Sequence, residues 1–71
     1  MREDKQAICD ALLLALQKTS YLHDLVSLKY ERVGKYDEYV TATFECGHQK
    51  KVNVSIDSGS AMILDIVRHI V

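Results

Sequence analysis

The 71-residue sequence has no proline, no tryptophan, three glycines, two cysteines and only one phenylalanine beside four tyrosines. No Pro/Gly-rich linker, repeat or low-complexity tract divides it, so it reads as one domain with no room for a second core. No apolar run approaches the ~18 residues needed to span a bilayer, so no membrane partner is expected. No charge sign dominates either. Nine basic against ten acidic residues leave a net charge of −1, which removes the electrostatic footprint of a non-specific nucleic-acid binder. The opening Met-Arg-Glu-Asp-Lys is partly acidic and lacks a clear cleavage site, unlike a secretory signal. A cytoplasmic location is therefore expected, with two free thiols rather than a disulfide.

What is present describes an ordinary globular protein: 48% apolar and 27% charged residues. At this length folding buries only roughly 60% of the unfolded surface, so self-association is a common supplement to a small core.

The stretch from Tyr39 to Ile56 is the most informative. Val40, Ala42 and Phe44 alternate with Tyr39, Thr41, Thr43 and Glu45, while Val52, Val54 and Ile56 alternate with Lys51, Asn53 and Ser55. That pattern predicts two half-buried strands turning near Gly47. A two-residue Gly47-His48 turn would set Phe44 opposite Lys51, mixing core with solvent. An odd loop, Gly47-His48-Gln49, sets Phe44 against Val52, Ala42 against Val54 and Val40 against Ile56, with Glu45 opposite Lys51 on the other face. Parity places Cys46 on the core side. An earlier strand, Leu22 to Arg32, follows the same rule. The loop Val33–Asp37 aligns Tyr30 with Val40, Leu28 with Ala42, Val26 with Phe44, and Arg32 with Glu38.

Helices flank these strands. Asp4 to Lys18 reads as a helix with Asp4 as its N-cap. Ile8, Leu12, Ala15 and Leu16 centre its apolar face, and Gln6, Asp10 and Gln17 form a polar strip opposite. Leu13 and Leu14 fall on either side of that strip, an apolar arc wider than one buried stripe needs. Asp57-Ser58-Gly59-Ser60 ends the third strand and offers capping oxygens to a second helix running to the chain's end. Ile63, Ile66, Val67 and Ile70 face inward there, and Asp65 lies within reach of Arg68 and His69.

The predicted fold is α+β: a two-layer sandwich in α-β-β-β-α order, a three-stranded antiparallel meander with both helices on one face. Three strands span about 14 Å at ~4.8 Å spacing, while two helices need about 20 Å. The first helix should overhang the sheet and leave Leu13 or Leu14 partly uncovered, which predicts a homodimer.

Few residues suggest chemistry. Cys46-Gly47-His48 could give two zinc ligands, but no CxxC or HxxxH pair accompanies it. A histidine-activated cysteine needs a cleft that a domain of this size hardly offers. The Asp57–Ser60 cap lacks the surrounding pattern of a phosphate loop. No catalytic residue, cofactor or metal ligand is therefore expected. The outer sheet face, with Lys29, Tyr39, Thr41, Thr43, Lys51, Asn53 and Ser55, forms a mostly polar surface with one aromatic. The candidate interface is Leu13, Leu14, Lys29, Tyr39, Thr41 and Thr43.

The element order and length are similar to those of the double-stranded-RNA-binding domain, a similarity of topology across the whole chain. That family holds phosphates with a lysine-rich cluster at the start of its second helix. The matching positions here are Asp57, Ser58, Gly59, Ser60 and Ala61. The expectation is a non-enzymatic protein–protein interaction domain, self-associating and with an unidentified protein partner. The alternative is a weak nucleic-acid-binding module using the outer sheet face.

Overall fold

A computed structural model describes residues 4–70. The elements are α1 (Lys5–Gln17), β1 (Leu25–Val33), β2 (Asp37–Phe44), β3 (Gln49–Asn53) and α2 (Gly59–Ile70). The strands form one antiparallel sheet in the order β1-β2-β3. Both helices cover its apolar face, so the expected two-layer α+β sandwich is the fold. Leu28, Val40, Ala42, Phe44, Val52 and Val54 line the inner side of the sheet and meet Cys9 of α1 and Met62, Ile66 and Ile70 of α2. The Asp4 carboxylate accepts the Ala7 N–H at 3.0 Å to start α1, and the Ser58 hydroxyl accepts the Ala61 N–H at 3.2 Å to start α2. Each satisfies a donor that the first helical turn leaves without a partner.

The first hairpin has the expected register at Tyr30–Val40, Leu28–Ala42 and Arg32–Glu38. Its far end differs: a bulge between Leu25 and Ser27 pairs Leu25, not Val26, with Phe44. The extra residue reverses the facing of the strand. Leu25 is thereby buried, and Val26 stands 48% exposed.

The second hairpin keeps the parity but slides by four residues. Val40 pairs with Val52 and Ala42 with Lys50, so the expected Phe44–Val52, Ala42–Val54 and Val40–Ile56 pairs do not form. Lys51 lies opposite Thr41 instead of Glu45. The loop is Glu45-Cys46-Gly47, closed by Phe44 N–H to His48 C=O at 2.9 Å and Gly47 N–H to Phe44 C=O at 2.8 Å. Gly47 has φ +88°, the left-handed residue that ends a three-residue hairpin loop. A loop beginning at Gly47 would have spent that conformational freedom at the wrong position. Cys46 consequently sits exposed in the turn rather than in the core.

β3 stops at Asn53, although Val54 N–H still reaches Glu38 C=O at 2.9 Å. The chain then turns, with Asp57 N–H bonded to Val54 C=O at 3.1 Å. Ile56 occupies that turn with φ +58° and 86% exposure, not the core position its alternation implied. Val71, the predicted end of the second helix, lies outside the described residues.

Candidate functional site

The two margins of the sheet are built differently. Along β1, the Gln6 side chain donates to Leu28 C=O at 3.3 Å and accepts from Tyr30 N–H at 2.9 Å. From the last residue of α1, Gln17 donates to Leu25 C=O at 2.8 Å. These amides take three of the backbone groups that a fourth strand would have paired. The predicted polar strip of α1 is therefore split. Asp10 faces solvent and accepts from Gln6 at 2.9 Å, while Gln6 and Gln17 wrap the sheet margin because α1 rides over β1. β-Sheet patterning alone gives no sign of this, since a glutamine on a helix flank looks like a solvated residue.

Among the described residues, the β3 margin has no such cover. The bonds Phe44–His48 and Val54–Glu38 fix which residues of the third strand face β2. By alternation, Gln49, Lys51 and Asn53 turn their N–H and C=O groups outward, and all three are exposed.

The outer sheet face forms rows across the strands: Ser27–Thr43–Gln49, Lys29–Thr41–Lys51 and Glu31–Tyr39–Asn53. Thr41, Thr43 and Tyr39 are half-buried and Lys29 is exposed. Lys51 Nζ lies 4.4 Å from the Tyr39 ring centre, and Gln49 donates to the Thr43 hydroxyl at 3.2 Å. Four of the six candidate interface residues are thus brought together on this face. Leu13 and Leu14 lie on the opposite layer. Leu13 is half-buried against the core, whereas Leu14 is 63% exposed. On α2, Leu64 is 56% exposed, another large apolar side chain on the helical layer and one the sequence did not single out.

A polar corner ties the layers together. Glu38 Oε1 accepts from Lys5 Nζ at 2.7 Å and from the Tyr30 hydroxyl, and Oε2 accepts from Ile56 N–H at 3.1 Å. The Glu38 side chain is 13% exposed. The Lys5 and Tyr30 hydrogen bonds hold the Glu38 carboxyl down at about 2. Burial, followed by the bond to Glu38, pushes the Tyr30 hydroxyl up to about 12. On the neighbouring turn, Asp57 Oδ2 is buried without a donor among the described residues. The Asp65 carboxyl first, and burial second, raise Asp57 above the ordinary carboxylate range. On α2, His69 Nδ1 lies 2.7 Å from the Asp65 backbone oxygen.

The cysteines divide sharply. Cys9 is fully buried, and burial, with the Asp10 charge second, raises its thiol to about 11. Cys46 and His48 line an open pocket of about 470 Å³ with Phe44, Leu22, Ile70 and Lys50. Among the described residues, no three His, Cys, Asp or Glu side chains are grouped to hold a metal ion. No described helix is long and apolar enough to cross a membrane. Compared with known proteins, the chain matches no family model, no curated protein and no solved structure.

Proposed function

We propose that this chain is a small, non-enzymatic, cytoplasmic protein–protein interaction domain that associates with a second copy of itself through its helical layer. The exposure of Leu14 supports this reading most directly. Its neighbours at helical spacing, Ala7 and Ala11, are also exposed, as is the adjacent Ala15, and their small side chains would let a partner helix approach closely. Leu64 adds a second apolar group on the same layer. Burying such side chains from water supplies the driving force, on the order of 1.5–3 kcal/mol for each leucine fully covered.

Light scattering and sedimentation equilibrium at high micromolar concentration test this reading. A dimer is expected, and Leu14→Glu should weaken it by about tenfold or more, the equivalent of ~1.4 kcal/mol. A strict monomer overturns the reading. The alternative, a weak nucleic-acid module, rests on Lys29 and Lys51 flanking Thr41 on the outer sheet face. Lys51 occupies one face of the Tyr39 ring, which leaves less of the only aromatic there for a base to stack on. Retardation of nucleic acid at low salt would favour this alternative, because phosphate contacts are strongest there.

A further inference from the structure

We infer that the free edge of β3 is a docking site for an extended acidic segment of another protein, which adds a fourth strand to the sheet. The inference goes beyond self-association and concerns the opposite margin of the molecule from α1. Three observations carry it.

The first is the asymmetry of the margins. On β1, Gln6 takes Leu28 C=O and Tyr30 N–H and Gln17 takes Leu25 C=O, whereas the outward groups of Gln49, Lys51 and Asn53 lie exposed on β3. Peptides that bind by strand addition draw affinity from such a row of main-chain donors and acceptors. The second is charge. The strand Gln49–Asn53 reads QKKVN, two lysines and no acid, in a chain whose net charge is −1. Lys29 stands in the same cross-strand row as Lys51. This local cation excess selects the occupant. A second copy of β3 paired antiparallel about Lys51 would set lysine against lysine, and like charges directly opposite are destabilising. Glutamate or aspartate opposite Lys51 reverses that sign. The third is the pocket at the Gln49 end of the same strand. Lys50 lines it together with Phe44, Leu22 and Ile70, with Tyr21 and the one carboxylate Asp24 also on its wall. Side chains of an added strand alternate between faces, so its inward-facing residues would be directed toward the side of the sheet that carries this apolar-floored recess. An acidic segment with alternating aliphatic residues meets both demands.

The test uses the full chain and a fluorescein-labelled peptide of alternating Glu and Val, read by fluorescence anisotropy at low salt, with a Lys/Val peptide as the control. The Glu/Val peptide should bind at least tenfold more tightly than the control. Lys51→Pro removes one outward N–H without touching the β2 ladder, and it should abolish binding. Lys51→Gln keeps the N–H and should weaken binding only severalfold. Circular dichroism checks that both variants fold. Amide resonances of the unsubstituted chain give a readout that needs no variant: Gln49, Lys51 and Asn53 should shift and gain exchange protection on titration, while Tyr30 should not. The Leu14→Glu variant should bind the peptide equally well, so failure of self-association and failure of this site are separable. Any of three results overturns the inference: no Glu/Val binding, undiminished binding by folded Lys51→Pro, or shifts confined to α1 and β1. Concentration-dependent shifts at Gln49, Lys51 and Asn53 without peptide would also overturn it, by showing the occupant to be a second copy.

Discussion

The sheet has two margins, and the protein treats them in opposite ways. At β1, a helix runs alongside and two glutamines close the ladder. At β3, a five-residue strand ends the sheet in open solvent with lysines at its centre. An unpaired edge is a hazard for uncontrolled strand addition, and natural proteins manage it by covering or charging it. This molecule uses one device on each side. Neutral amides are used where a helix is near enough to cover the edge, and charge is used where it is not. A charged edge disfavours strands of like charge.

Breaking the covered margin should have the largest effect. Glu38 holds the start of α1 over β1 through Lys5 and also gathers Tyr30 and Ile56 N–H. Glu38→Gln should cost about 2 kcal/mol, since it leaves half-buried donors poorly matched. For a domain this small, that lowers Tm by about 10 °C, which calorimetry would detect. The pH profile gives the same residue a second signature. Because its pKa is depressed from 4.5 to about 2, Glu38 contributes stability that is present above 4.5 and lost as pH falls toward 2. Glu38→Gln should remove that loss. Asp57 works in the opposite sense: its pKa is raised above 3.8, so its contribution is full below 3.8 and fades as pH climbs through the raised value.

A direct comparison of the margins comes next in size. Gln6→Ala strips two bonds from the β1 backbone and should cost about 1–2 kcal/mol, with faster hydrogen exchange at Tyr30. Lys51→Ala on the uncovered margin should stay within about 0.5 kcal/mol of the starting stability in chemical denaturation. Equal losses at both sites would show that the two margins are held alike. The smallest change sharpens it from the side of the β3 connection. Ile56 is a β-branched residue held in the left-handed region, which costs roughly 1–2 kcal/mol. Ile56→Gly should relieve part of that and raise the denaturation midpoint, offset by the entropy glycine loses on folding.

Side-chain parity carried much of the fold into the sequence. Val40, Ala42, Phe44, Val52 and Val54 are inward because alternation leaves no other way to bury them, and Asp4 caps α1 because an aspartate there satisfies a free N–H. The candidate surfaces were less legible. Parity is blind to a shift of four residues, so it could not choose between loops ending and loops starting at Gly47. That one choice sent Cys46 and Ile56 outward. Nor could it foresee the bulge at Val26, which exchanges two neighbouring apolar residues at no cost in pattern.

The sequence alone determined which residues alternate, where the helices begin, and that one sheet face must be covered by both. Those are local properties, set by backbone geometry and by the exclusion of apolar groups from water. Only the tertiary structure decided that Gln6 and Gln17 close one edge while Lys51 guards another, and that Glu38 joins four segments at a corner. Such arrangements depend on the distance between elements far apart in the chain, and no periodicity within either element encodes that distance.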